Sequence, residues 1–376
     1  MGNKPFIFGV ATSGDNFTDR KKETERLLLN FRHGINTILI SPRRWGKTSL
    51  VQKVCRLAQS DKLKVVYLDI FSCRSDKDFY EAFASAVLKQ TSSKWDEWME
   101  NIKLFLSRIT PKISIGTDPM TDFSISFEIN PKSNDVEDIL QLPEKIAQKK
   151  GYNIVVCIDE FQQIAEFKDS KIFQKRLRSV WQLQKSVSYC LFGSKKHLMN
   201  ELFEKKSYPF YKFGDAIYLS KIGTRDWIEY ICRRFEVTGK QISEELAEKI
   251  CQRVDNHSSY VQQLAWLVWI HTDRVATEQD FESAYQDIID QNTPLFEKQT
   301  ESLTTYQMNF LRAIIDGIHS EFTTQEVLHK YQLSSSANVS IVKRALVKKE
   351  LIEIEKRQVV IPDPVMVVWL KRELGM

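Results

Sequence analysis

Along the first two hundred or so residues the chain alternates between two kinds of hydrophobic pattern. Residues 37–40, 64–71, 153–158 and 187–192 are short, nearly continuous apolar runs, rich in β-branched or aromatic side chains. Continuous hydrophobicity marks strands covered on both faces, which predicts a parallel sheet flanked by helices. Between these runs, residues 48–59 and 76–90 space their apolar positions at the helical period, so the region reads as successive βαβ units. One segment departs from this rhythm. Residues 112–116 and 123–129 alternate strictly, with Asp118, Pro119 and Asp122 between them. Strict alternation around a turn-forming cluster predicts an inserted β-hairpin at about residues 110–130. Its Ile and Phe side chains either pack on their own domain or offer a tip for docking a partner.

From about Ile222 the strand-like runs stop. Residues 224–236, 243–254, 259–272 and 277–289 read as four helices with Ser, Thr or Asp near their starts. After Asn292, Thr293 and Pro294 the pattern becomes helix, helix, helix and a short hairpin. The third helix begins near residues 334–336, and residues 351–355 and 358–361 form the hairpin around Lys356 and Arg357. Three helices and a β-wing make a winged helix, a variant of helix-turn-helix. The expected domains are a core at 1–220, a helical lid at 221–295 and a winged helix at 301–376.

The 376 residues, 42% of them apolar, suit two or three domains with ample core. Lys and Arg number 54 against 49 Asp and Glu, leaving a net charge of +5. That excludes a polycation, so any nucleic-acid contact must come from a local patch. No apolar run approaches the roughly 18–20 residues that cross a bilayer, and the N-terminus carries no secretory pattern. Cys55, Cys73, Cys157, Cys190, Cys232 and Cys251 are widely spaced without a Cys-x-x-Cys pair. Reduced thiols in a cytoplasmic protein, with no membrane contact, are the expectation.

The most informative chemistry lies at residues 38–50. A buried strand runs into Ser41, Pro42, Arg43, Arg44, Trp45, Gly46, Lys47, Thr48 and Ser49, and a helix follows. Backbone N–H groups of such a loop and of the helix start suit the β- and γ-phosphates of a nucleotide. Gly46 permits close approach, Lys47 adds a cation and Thr48 can ligate Mg²⁺. Glycine usually opens this loop, but here the position is Ser41, which Pro42 holds extended so that no positive φ is needed. Gly-Lys-Thr alone is a weak signal, yet between that strand and that helix it is a strong one. A second buried strand ends in Asp159 and Glu160, the edge where open α/β sheets bind ligands. Asp159 would hold Mg²⁺ and Glu160 would activate the attacking water. The fold class expected is therefore α/β, a P-loop parallel sheet flanked by helices, followed by the helical lid and the winged helix.

Another strand ends in Gly193, Ser194 and Lys195. Ser194, with Lys195 second, either senses the γ-phosphate or belongs to a simple turn. Arg176 and Arg178 lie on the intervening helix, and either is an arginine finger toward a neighbouring subunit or a structural surface residue. Arg43 and Arg44 either touch phosphate or form surface ion pairs.

Residues 41–49 together with Ile158, Asp159, Glu160, Phe161 and Gln162 resemble the archaeal-type ATPase family, a STAND-like branch of the AAA+ class. Phe17, Thr18, Asp19, Arg20 and Glu23 are similar to that family's N-terminal box, which packs near adenine. Gly193 with Ser194, residues 208–211, residues 260–263, and Asp363, Pro364 and Trp369 also match. The resemblance covers nearly the whole chain. It implies a P-loop core, a helical lid, a winged helix, and ATP with Mg²⁺. It also implies that His257 matches a lid histidine able to reach the phosphates, although Asn256, Ser258 and Ser259 depart from the family's Gly-His-Pro. A lone histidine is otherwise commonly structural.

In the winged helix, Asn338, Ser340, Lys343 and Arg344 suit base edges, and Lys348, Lys349, Lys356 and Arg357 suit phosphate. Residues 301–376 hold ten basic and nine acidic side chains, with six of the basic ones between Lys343 and Arg357. Such a balance gives weak DNA binding unless the basic residues share a face. Two functions follow. The first is an ATP-binding and ATP-hydrolysing switch whose ATP and ADP states change assembly into homo-oligomers or binding of a protein partner. The alternative is a DNA-binding ATPase or regulator acting through residues 334–357.

Overall fold

The computed structural model describes residues 4–10, 17–92, 99–101, 111–115, 123–127 and 135–375. The chain folds as two compact units, one of residues 20–43 with 47–220, the other of residues 1–19, 44–46 and 221–376.

The first unit is built on a five-stranded parallel sheet. Its elements in chain order are α1 (Lys21–Arg32), β1 (Thr37–Ile40), α2 (Lys47–Ala58), β2 (Leu63–Asp69), α3 (Asp76–Thr91), β3 (Pro111–Ile115), β4 (Phe123–Phe127), α4 (Asp135–Lys150) and β5 (Asn153–Asp159). A 3₁₀ turn (Phe161–Glu166), α5 (Ser170–Trp181), β6 (Val187–Gly193), α6 (Lys196–Glu204) and β7 (Asp215–Tyr218) complete it. The strand order is β2-β5-β6-β1-β7, and every neighbouring pair is parallel. Strands β1 and β6 are buried at every position and β5 at all but Asn153. This burial explains their unbroken apolar runs, since both faces are covered by helices. β7, a short edge strand beside β1, has no continuous apolar run to announce it. Strands β3 and β4 pair antiparallel, Pro111 opposite Phe127 and Ile115 opposite Phe123; the tip at 116–122 and the side chains proposed for docking lie outside the described residues. Arg20, buried, donates to the Ser220 carbonyl at 2.7 Å and pairs with Glu23 at 3.2 Å.

The second unit contains α7 (Thr224–Glu236), α8 (Glu244–Arg253), α9 (Ser258–His271), α10 (Glu278–Glu301), α11 (Thr305–Ile315), α12 (Gln325–Lys330) and α13 (Ser336–Lys348). The wing strands β8 (Glu353–Glu355) and β9 (Gln358–Val360) and a last helix, α14 (Pro364–Glu373), follow. One continuous apolar core runs through it from Trp227 to Leu370, so the helical segment and the winged helix share their interior. The sequence pattern predicts a break at Asn292–Pro294, but α10 continues through it. Asn292 Nδ2 and Thr293 Oγ1 donate to the carbonyls of Ile288 and Ile289 at 2.7 and 3.0 Å. Beyond the proline, buried Phe296 packs on Trp369 at 5.6 Å, contact that a break would forfeit. α14 is also absent from the sequence-based expectation. Asp363 starts it, its Oδ1 accepting from the N–H groups of Val365 and Met366 at 3.0 Å, and Pro364 fits a first turn that lacks N–H partners. The wing turns at Lys356 and Arg357, both left-handed with φ of 46° and 73°, the backbone that a two-residue hairpin requires.

Among the described residues no helix is long and apolar enough to cross a membrane.

Pro294 is exposed within α10, and proline in a helix interior is unfavourable by roughly 3 kcal/mol relative to alanine. Pro294→Ala should raise unfolding free energy by about 1–3 kcal/mol in urea titration; a decrease would show that the proline shapes the helix to its packing.

Candidate functional site

The loop between β1 and α2 begins at Ser41, which is fully buried and donates through Oγ to the Pro42 carbonyl at 2.9 Å. Ser41 does not take the left-handed backbone, which falls instead to Arg44 (φ 64°) and Gly46 (φ 85°). Gly46 has open space around it, so glycine answers a conformational need there rather than a steric one. The loop's missing first glycine therefore leaves its geometry intact.

Lys47 opens α2 and is 6% exposed, with Nζ 2.7 Å from Asp159 Oδ1 and 3.4 Å from Glu160 Oε1. Thr48 Oγ1 donates to Asp159 Oδ2 at 2.9 Å. Two further donors reach the same carboxylate: the Tyr67 hydroxyl at 2.9 Å on Oδ2 and the Glu160 N–H at 2.8 Å on Oδ1. Asp159, 4% exposed, is thus satisfied by an ammonium and three neutral donors, as a buried carboxylate requires. Burial, reinforced by the charge of Asp159, pushes the Tyr67 hydroxyl well above its ordinary value, so it stays a neutral donor. The strand register sets Asp69 opposite Asp159, and burial, opposed by the Phe71 N–H and then aided by the charges of Asp159 and Glu160, raises the Asp69 carboxyl.

Glu160 sits on left-handed backbone, φ 54°, between β5 and the 3₁₀ turn. Its Oε2 accepts from Ser194 Oγ at 3.0 Å and from the Gln162 side-chain amide. The sheet order explains this meeting: β6, which delivers Ser194, lies between β1 and β5. Lys195 instead pairs with Glu166 at 2.8 Å. Arg178 is half-buried with its guanidinium 4.7 Å from the Phe213 ring centroid, and burial lowers its pKa; Arg176 is half-buried on the same helix. The structure thus brings Lys47, Thr48, Asp159, Glu160 and Ser194 together and sets Arg178 on Phe213. Ser49 is buried in the first turn of α2, and Arg43 is exposed.

A phosphate-loop lysine and threonine locked onto an acid at the next-but-one strand end is the geometry of nucleotide hydrolases. Residues 17–264 match a family described as "ATPase domain predominantly from Archaea", and residues 294–372 match one described as "Probable winged helix domain". The chain belongs to this archaeal ATPase family. Its fold is similar to that of a Walker-type ATPase of Pyrococcus abyssi, at 16% identity over 98% of this chain and 99% of that one, TM-score 0.70. The ORC2 protein of Aeropyrum pernix is similar at 13% identity, in its ADP form over 96% of each chain with TM-score 0.57. Its complexes with ADPNP and ADP match over 95% of each chain with TM-score 0.55. These likenesses show a P-loop ATPase fold, a parallel sheet flanked by helices with a C-terminal winged helix. No curated protein matches the chain in sequence.

The donor set at this edge fits a divalent cation such as Mg²⁺: Thr48 Oγ1 and Asp159 Oδ2, both hard oxygens, lie 2.9 Å apart.

Within the second unit, His257 caps α9 without a side-chain cap bond; it is 8% exposed and its Nδ1 has no hydrogen-bond partner. Its ring packs on Tyr260 at 4.8 Å. Tyr260 donates to Asp363 Oδ2 at 2.7 Å, and Lys221 lies 5.8 Å over the Trp45 ring. Tyr67, Gln162 and Asp363 were not predicted as site residues. Gln162 adjoins the acid pair in sequence, a signal that could have been followed; Tyr67 reaches Asp159 only through strand pairing.

Burial, with the charges of Arg44 and Lys221 adding, pushes the His257 imidazole down to about 4. An unfolded histidine titrates near 6.5, so as pH falls below that value the unfolded chain takes up a proton that the folded one refuses. Stability contributed by keeping His257 neutral is intact at pH 7, declines below about 6.5 and is lost by about 4, roughly 3 kcal/mol in all. His257→Gln should flatten the acid limb of stability by up to that amount in denaturant titrations at pH 7, 5.5 and 4.5; an unchanged limb would contradict the burial.

Proposed function

We propose that the chain is a Mg²⁺-dependent ATP hydrolase working as a nucleotide-driven switch. The observation that carries this reading is the sharing of Asp159 by Lys47 and Thr48, with Glu160 held beside them. Loop N–H groups and Lys47 receive the β- and γ-phosphates, Lys47 exchanging part of its pairing with Asp159 for the incoming anion. Thr48 and Asp159 hold Mg²⁺, which when bound offsets phosphate charge. Glu160 accepts a proton from the water that attacks the γ-phosphorus, and Ser194 steadies that carboxylate. Arg43, Arg44 and His257 are further phosphate ligands in this reading, and Arg178 is a finger toward a neighbouring copy in a homo-oligomer. The ADP and ADPNP complexes of the structurally similar ORC2 protein support the choice of adenine nucleotide.

In such a switch, a difference in a nucleotide's affinity between two arrangements of the protein is what turns binding into a change of assembly or partner.

DNA engagement is the second reading, favoured by the exposure of Arg344, Lys348, Lys349, Lys356 and Arg357 at the end of α13 and on the wing. Asn338, however, spends its side-chain amide on the Leu333 carbonyl at 3.0 Å, which points to phosphate contact more than base reading.

Lys47→Ala should abolish binding of a fluorescent ATP analogue, and Glu160→Gln should retain binding while turnover falls by roughly 10²-fold or more; a Glu160→Gln chain at full rate would refute its role as base. Sedimentation with a slowly hydrolysed ATP analogue should differ from that with ADP, and identical profiles would count against the switch. For the second reading, a mobility shift of duplex DNA by the full chain should weaken steeply with salt; no shift at low salt removes it.

A further inference from the structure

We infer that Gln162 is a positioning residue for hydrolysis, seated in the space where Gly193 lacks a side chain and fixing one oxygen of Glu160. The inference rests on the hydrolase reading above.

Gln162 is 2% exposed on the 3₁₀ turn immediately after β5. Its Nε2 donates to Glu160 Oε2, the same oxygen that accepts from Ser194 Oγ at 3.0 Å. The opposite orientation of the amide would set two acceptors against each other, so the donor end is the one that faces the carboxylate. The cost of this arrangement is visible at the other end of the amide, where Oε1 is buried and has no partner. An apolar side chain of the same length would avoid that loss. A glutamine retained in such a place is explained by what its other end does.

Gly193 makes the arrangement possible. A Cβ there would lie 1.7 Å from Gln162 Oε1 and 3.0 Å from Met199 Sδ, and no left-handed φ calls for glycine at this position. The glycine is therefore steric, a notch at the end of β6 into which the Gln162 amide fits. With Oε2 fixed by two donors, the other Glu160 oxygen faces Lys47 at 3.4 Å. When Lys47 turns to phosphate, Oε1 is the oxygen left to accept the proton of the attacking water. A base held this way needs no reorganisation at the moment of proton transfer.

Steady-state ATP hydrolysis by the full chain tests this with Gln162→Met, Gln162→Ala, Gly193→Ala and the Gln162→Ala/Gly193→Ala double variant. Gln162→Met should lower kcat roughly 10²-fold while KM stays within about twofold. Gly193→Ala, which moves the amide without altering it, should lower kcat to a similar extent. In the Gln162→Ala background the added methyl should have no further effect, because the side chain it would displace is gone. In a Glu160→Gln chain, Gln162→Met should likewise remove nothing more. Wild-type kcat for Gln162→Met, or a Gly193→Ala effect of full size in the Gln162→Ala background, would overturn the inference while leaving the hydrolase reading intact. A wild-type chain that binds ATP without turning it over would remove both. Affinity for a fluorescent ATP analogue, measured on each preparation, identifies misfolded variants; should Gly193→Ala not fold, the two Gln162 substitutions and the Glu160→Gln pairing decide.

Discussion

The ion pair between Lys47 and Asp159, 2.7 Å long with both side chains about 95% buried, is the contact on which the rest of this molecule's chemistry depends. Two charges withdrawn from water are tolerated only when they compensate each other and their remaining lone pairs and protons are satisfied. Asp159 meets that condition through Thr48, Tyr67 and the Glu160 N–H. Removing one member of a buried pair typically destabilises by about 3–5 kcal/mol, so the residues proposed to receive the substrate also hold this part of the fold in shape. The arrangement follows from topology. β1 and β5 are both parallel to the intervening β6, which brings the end of each strand to one edge of the sheet, where loops can converge on a ligand.

The two acids at that edge are treated differently. Asp159 is surrounded on both oxygens. Glu160 has its donors, Gln162 and Ser194, on one oxygen and the Lys47 ammonium near the other. Saturation suits the cation-anchoring role proposed for Asp159, and a one-sided grip suits the proton-accepting role proposed for Glu160. Ser194 is read from sequence as a sensor of phosphate, or else part of a turn; in the structure its hydroxyl donates to Glu160.

Much of this was legible from the chain alone because it is local. The buried strand, loop and helix around Lys47 follow one another within a dozen residues, and the unbroken runs of β1, β5 and β6 disclose strands covered on both faces. What stayed hidden depends on partners distant in sequence. Tyr67 meets Asp159 across 92 positions, and Gln162 gains meaning only from the absence of a side chain at Gly193. β7 is four residues at a sheet edge, too short to carry a pattern of its own. Pro294 was misleading for a different reason: a proline signals a helix end by local rules, but burial of Phe296 beyond it and the side-chain bonds of Asn292 and Thr293 carry α10 onward. α14 was missed although Asp363 and Pro364 form an ordinary helix start, because the pattern of three helices and a wing was already complete without it.

The second unit has one interior shared by the helical segment and the winged helix, and the proposed switch would move it as a single body. Whether it responds to nucleotide at all turns on occupancy of the phosphate loop. Calorimetric titration of ATP into the wild-type chain, with Mg²⁺ and again with a chelator, tests that most directly. A single saturable site per chain, weakened when Mg²⁺ is withdrawn, is the result expected from the Lys47, Thr48 and Asp159 geometry. Absence of heat under both conditions at protein concentrations well above micromolar would contradict it.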